Sequence, residues 1–420
     1  MTIGRVLQCY LMQRTDWTEQ FAADLASKPL VREFVFANAR YQAATEREVC
    51  DLILTLRNRA ILAQMKSQED PKSRSGTKLE HWVTKKAKEA TTQLQGAIRS
   101  VNERDFWCQH PRRGKVDFKK GQLSVAYGIV MVEQLAERIP LGDEFPLEYQ
   151  GVPIGYFSAN DFLNVVYELR SFPDILDYLT RRHDLGLDVR RAIGGEKLLC
   201  GYYFLNDGSF CPGASYQQIS SVVAQRREEL PAIIYAKKSA DSDADLAEFV
   251  ADALAERHPG YAEGLSQDVL GHFEDPEQRK AYLLMQENIC DLRLAERRAM
   301  GSQLRTAIVK VQTSKQDSDF AYASAYVDSK PQFLYVLGAS RQVPRPELLE
   351  RGQILLRGGL AFFQKRDGLL IIDRDGQSFE TMLIQGFSPS EGDKQAGQRL
   401  FGSLRIFDVR GGIVPGDRRS

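Results

Sequence analysis

The sequence predicts an α/β protein. Its N-terminal core runs α-β-β-β-α-β, followed by a mainly helical middle region and a C-terminal α+β region. Three observations predict this. Trp17, Phe21, Ala22 and Leu25 recur at helical spacing. Three apolar runs of strand length then follow in quick succession, rich in Val, Ile, Phe and Leu. A long amphipathic segment separates them from one more strand, and such switching between the 3.6 and 2 periods marks helices packed on a sheet.

The first helix covers Asp16 to Lys28 and stops at Pro29, which has no N–H to continue the ladder. Val31 to Tyr41 alternates through Phe34 and Phe36 and reads as a strand. The second strand begins charged, Glu46-Arg47-Glu48, and continues Val49-Cys50-Asp51-Leu-Ile-Leu-Thr-Leu. After a short polar turn comes Ala60-Ile-Leu-Ala-Gln64-Met65-Lys66. A Pro/Ser/Gly-rich turn, Asp70 to Gly76, leads to a helix from about Thr77 to Val101 that places Trp82, Ala90, Leu94 and Ala97 inward and its lysines outward. Gly121 to Val132 is the last strand of the core.

A break is expected near Pro140 to Pro146. Beyond it, Ser158-Ala-Asn-Asp161 and Ser171-Phe-Pro173-Asp174 each read as a helix start whose serine oxygen accepts from the third helical N–H. Ser239 to Asp245 reads equally as an exposed linker or a helix N-terminus. From about Arg305 the pattern turns to β, with strand-length runs at Ala307–Gln312, Phe333–Leu337 and Leu369–Asp373. Asp373-Arg-Asp375-Gly376 is a hairpin signal, and Arg345 to Leu356 an intervening helix. The regions expected are 1–135, 150–275 and 280–420.

At 420 residues the chain exceeds one typical core. Lys+Arg and Asp+Glu both number 56, so net charge points to no partner. Between Gln64 and Lys120, however, fourteen basic residues face seven acidic ones, a local field suited to a polyanion. No apolar run reaches about 18 residues, so no membrane span is expected. No signal-peptide segment opens the chain, and the six cysteines form no CxxC pair; both suggest a reduced, cytoplasmic setting. The five histidines show no HExxH pattern, which argues against a zinc hydrolase.

Gln64 and Lys66 lie two residues apart in a strand and project to one face. With Asp51 on the neighbouring strand they make a compact set: a carboxylate and a carbonyl oxygen for Mg²⁺, and an ammonium for a water or phosphate. Taken together with the element order, Asp51…Gln64-Met65-Lys66 resembles the PD-(D/E)XK, restriction-endonuclease-like nuclease superfamily. The closest form is the Mrr-like D…QxK variant, in which Gln replaces the second acid. The stretch Arg47 to Gln68 is also similar to uncharacterised bacterial members, and the resemblance covers about residues 10–130.

The resemblance implies an Mg²⁺- or Mn²⁺-dependent nuclease acting on DNA ahead of RNA, with a role in defence against foreign DNA by analogy of fold. Asp51 and Gln64 would bind the metal, and Lys66 would serve the attacking water or the transition state. Glu19 matches the acid such enzymes often carry in the first helix, although Asp16 and Asp24 compete for that role. Gln68, Lys85, Lys86 and Gln95 are candidates for contact with nucleic acid. A homo-oligomer or a defence-system partner protein is compatible with the sequence. The alternative is a catalytically silent nucleic-acid-binding or protein-interaction module, with Asp51 a strand-edge charge and Gln64 and Lys66 on a solvated face.

Glu48 falls on the opposite face from Asp51 in a regular strand, and Cys50 reads as a buried core thiol. His183-Asp184 reads as a surface helix end. Gly194-Gly195 and Gly358-Gly359 fit no phosphate-loop pattern and read as turns.

Overall fold

A computed structural model of the chain describes residues 21–22, 24–25, 27–42, 46–67, 76–110, 113–133, 138–257, 276–316, 319–325, 330–376 and 378–402. The described residues fall into two compact units, one up to Ala236 and one from Lys237 onward. Both are mixed α/β.

In the first unit, a 3₁₀ turn at Arg32–Phe34 precedes β1 (Val35–Gln42). β2 (Glu46–Leu56) and β3 (Arg59–Lys66) form a hairpin closed by Arg57-Asn58, with Arg57 at φ 57°. α1 (Thr77–Glu103) follows, then β4 (Phe106–His110), β5 (Gly114–Phe118) and β6 (Ser124–Val132). The short β7 (Ile139–Pro140) and β8 (Glu148–Tyr149) lead to β9 (Val152–Ser158). Seven of these strands and β9 make an eight-stranded sheet once β7 is set aside, in the order β5-β4-β1-β2-β3-β6-β9-β8. β1, β2 and β3 are antiparallel, whereas β3, β6 and β9 run parallel.

α1 is the crossover that makes the parallel β3–β6 pairing possible. Its buried stripe of Val83, Ala87, Ala90, Leu94, Ala97, Ile98 and Val101 shares one core with Ile53, Leu62, Val130 and Val132 of the sheet. Fully burying each large apolar side chain there contributes roughly 1.5–3 kcal/mol. Tyr156 on β9 belongs to this core, while its neighbour Phe157 points the other way, as strand alternation requires, onto Phe162 at 5.7 Å between ring centroids.

Phe162 lies in α2 (Ala159–Leu169), which is followed by α3 (Phe172–His183). Ser158 and Ser171 cap these two helices through their side chains, as the sequence motifs predict. α4 (Leu187–Arg190), β10 (Ala192–Ile193, paired with β7), α5 (Glu196–Leu205) and α6 (Tyr216–Gln225) complete the layer. Arg182 of α3 and Glu196 of α5 form an ion pair at 2.9 Å, each 2% exposed, and the Tyr178 hydroxyl donates to Glu196 Oε1 at 2.6 Å. Gly194 and Gly195, both at positive φ, form the turn that starts α5.

Across the boundary between the units the chain forms α7 (Leu230–Ala240), then α8 (Ser242–Arg257); the acidic stretch after Ser239 is thus a helix N-terminus. The second unit continues with α9 (Pro276–Cys290), α10 (Leu294–Thr313), β11 (Asp319–Ala325), β12 (Phe333–Arg341), α11 (Arg345–Phe362), β13 (Asp367–Arg374), β14 (Ser378–Ile384) and α12 (Glu391–Phe401). Its sheet runs β11-β12-β13-β14, with β12 and β13 parallel across α11.

Several sequence expectations are corrected. The β4–β5 hairpin was not anticipated, and β6 begins at Ser124 rather than Gly121. Ala307–Gln312 is helix, not strand: Met300, Leu304, Ala307 and Val311 form one buried helical stripe, which a six-residue window cannot show. Gly358-Gly359 is not a turn but lies inside α11, where a side chain on Gly358 would press on the Gly397 backbone of α12 at 3.0 Å. These glycines let the two helices approach closely. Among the described residues no helix is long and apolar enough to cross a membrane.

Candidate functional site

The β2–β3 register pairs Leu52 with Ala63 and Leu56 with Arg59. One step further along, the same register sets Asp51 opposite Gln64. There the backbone N–H of Met65 donates to Oδ2 of Asp51 at 2.6 Å, tying the carboxylate to the neighbouring strand.

Glu48 is not on the far face. β1 pairs Ala39 with Cys50 but Arg40 with Glu48, so Val49 is an extra residue in β2. Such a bulge re-aims the side chains around it. Val49 and Cys50 both enter the core, and Glu48 comes to hydrogen-bonding contact with Asp51. Burial pushes the Asp51 carboxyl up to about 7, and the adjacent Glu48 adds to the rise, while the Met65 N–H and the Lys66 ammonium oppose it.

Gln64 is 5% exposed, and its Oε1 has no hydrogen-bond partner. Leaving a buried acceptor unsatisfied costs roughly 1–3 kcal/mol, so a ligand for that oxygen is expected. Lys66 is half-buried at the end of β3, beside Val132 of β6, and its carbonyl accepts from the Glu133 N–H at 2.9 Å. Its ammonium is near enough to act on both Asp51 and Glu89 of α1.

Glu48 and Gln64 open into one groove of about 530 Å³. Its other wall is the C-terminal half of α1, with Gln93, Arg99 and Arg104; Arg47 and Tyr41 close the strand side. The Arg104 guanidinium lies 4.9 Å from the Tyr41 ring centre.

The structure places the remaining candidates as follows. Lys86 is bound to Glu89 at 2.6 Å and holds that carboxyl below its ordinary range. Lys85 is exposed on the same helix, and Gln95 is half-buried there but does not line the groove, whereas Gln93 does. Asp24 is exposed. Glu19, Asp16 and Gln68 lie outside the described residues. His183 is the last residue of α3, and burial lowers its imidazole.

Sequence reasoning missed the groove residues. A signal was present in α1: Gln93, Gly96, Ala97, Ser100 and Arg104 recur every three or four residues, hence on one face. No protein-family model, no curated protein and no solved structure matches the chain.

Proposed function

We propose that the first unit hydrolyses phosphodiester bonds of DNA with the help of Mg²⁺ or Mn²⁺. The observation that carries this reading is the orphaned, buried Oε1 of Gln64, beside an Asp51 carboxyl that burial pushes up to about 7.

The donor chemistry fits a hard cation. Asp51 and Gln64 offer oxygen only, as Mg²⁺ prefers. Among the described residues no group of three or more His, Cys, Asp or Glu is suited to a metal, so one carboxylate and one amide would hold it and leave positions for water and substrate oxygens. When bound, the cation supplies neutralisation of charge at the scissile phosphate.

The chain's own groups do the rest. Glu48, in contact with Asp51, takes the proton of the attacking water. The water oxygen bonds to phosphorus, the bond to the leaving sugar oxygen breaks, and that oxygen is protonated from solvent. Lys66 stabilises the negative charge that grows on the phosphoryl oxygens. The Met65 N–H keeps Asp51 oriented throughout.

A second reading is a silent nucleic-acid-binding module, favoured by the lack of a third acidic ligand among the described residues. One experiment separates the two. Pure protein is incubated with supercoiled plasmid, linear duplex, single-stranded DNA and RNA, with Mg²⁺, Mn²⁺ or EDTA. Cleavage of DNA that requires metal and is lost in Asp51→Ala and Lys66→Ala, with the fold intact by circular dichroism, is the expected result. Undiminished cleavage by either variant overturns the assignment, and binding without cleavage favours the silent module.

A further inference from the structure

We infer that the groove beside Gln64 seats one unpaired nucleotide, so that the site acts on single-stranded or frayed DNA and not on intact duplex. This rests on the phosphodiesterase reading and narrows it.

The first argument is shape. The groove runs between α1 and the ends of β1 and β2. The helical wall is low: a side chain on Gly96 would meet nothing within 4 Å. The volume of about 530 Å³ accommodates a base with its sugar and phosphate.

The second argument is charge. Arg47 and Arg99 are exposed at the groove, and neither forms an ion pair among the described residues. A guanidinium presents a fork of donors matched to phosphate. Glu48 and Glu103 also line the groove, so its field is not uniformly basic. A purely basic track follows a backbone; a mixed lining suits one phosphate together with the amino edge of one base.

The third argument is a stacking surface, which an unpaired base can use. Tyr41 carries Arg104 against its ring, and such an aromatic–guanidinium surface stacks bases without regard to sequence. Gln93 offers an amide at the rim. In a duplex the base faces are stacked on their neighbours and the Watson–Crick edges are already paired.

The test is fluorescence anisotropy in EDTA, so that nothing is cut. The probe is a labelled DNA strand of about twelve nucleotides, within the range such sites cover, alone or annealed to its complement. The strand should bind about ten-fold more tightly than the duplex. Gly96→Leu, which fills the groove and favours the helix, should weaken strand binding by about ten-fold. The Arg47→Ala/Arg99→Ala pair should weaken it similarly and lower the slope of log affinity against log salt by about 0.7, the value for one phosphate contact on a single strand. Equal binding of strand and duplex, or full strand affinity in Gly96→Leu, overturns the inference. Metal-dependent cleavage that ignores Gly96→Leu sinks the nucleotide seat and leaves the phosphodiesterase standing. Groove-dependent strand binding without cleavage does the reverse.

Discussion

The Met65 backbone N–H donates to Oδ2 of Asp51 at 2.6 Å, across the gap between β2 and β3. One oxygen of the carboxylate is thereby committed to the scaffold, and the other remains for Glu48 or a cation. Because the donor is backbone, no substitution at position 65 removes it except proline. Orientation of the key acid thus depends on strand pairing, and the acid's chemistry can be altered without disturbing its place.

Asp51→Asn tests that separation. Asparagine keeps an oxygen for the Met65 N–H but cannot ionise. The folded carboxyl titrates near 7, the unfolded one near 4. Ionisation is therefore harder in the folded state. Its cost to stability is absent below about pH 4, grows between pH 4 and 7, and is complete above 7. The stability gain of Asp51→Asn over the parent should thus be about 2–3 kcal/mol larger at pH 8 than at pH 5, and vanish by pH 3, by urea unfolding. Cleavage should fall by about 100-fold or more. An equal stability gain at both pH values would refute the buried, proton-holding carboxyl.

Cation binding should expel the proton that the Asp51 carboxyl holds below about pH 7. Titration with Mg²⁺ or Mn²⁺ at pH 6.5, in buffers of different ionisation enthalpy, should reveal proton release by calorimetry. The release should shrink by pH 8.5, where the carboxyl is already ionised. Glu48→Gln should reduce it at pH 6.5. Metal binding with no buffer dependence at pH 6.5 would show that Asp51 is not a ligand.

Gln64→Leu removes a buried acceptor that has no partner and substitutes an apolar group of similar size. Stability should hold or rise by about 1 kcal/mol, since no hydrogen bond is lost. Metal affinity and cleavage should both fall, by about ten-fold or more. Loss of stability with metal affinity unchanged would identify the amide as structural instead.

Glu196→Ala should leave the Arg182 guanidinium buried without its partner. The expected cost is about 3–5 kcal/mol, read as a lower urea midpoint of the first unit. Residual metal binding at Asp51 in the folded fraction should be unaffected, because this ion pair belongs to the layer of α3 and α5. A change under about 1 kcal/mol would mean that water reaches the pair.

Asp51, Gln64 and Lys66 were legible because strand alternation and a two-residue turn fix their facing without any long-range knowledge. The capping serines Ser158 and Ser171 were legible for the same reason, being purely local. Glu48 was not, since a bulge leaves no mark in composition and one extra residue inverts the alternation. The pairing of β6 with β9 joins residues on either side of an expected break, and strand-to-strand choice across a long connection is not written in periodicity. Gly358 and Gly359 misled because a glycine pair serves close helix packing as well as it serves a turn.

β3 lies between β2 and β6, yet β6 begins only at Ser124. Chains are synthesised from the N-terminus, so a ribosome that has just released Lys66 has made every residue of the motif but only one of the two strands that hold it. The wall bearing Arg99 emerges later with α1, and the second neighbour of β3 later still. A prematurely terminated or stalled product ending before residue 124 therefore carries the motif on an unsupported strand edge. The geometry around Asp51 and Lys66 is thus complete only once the chain has passed β6.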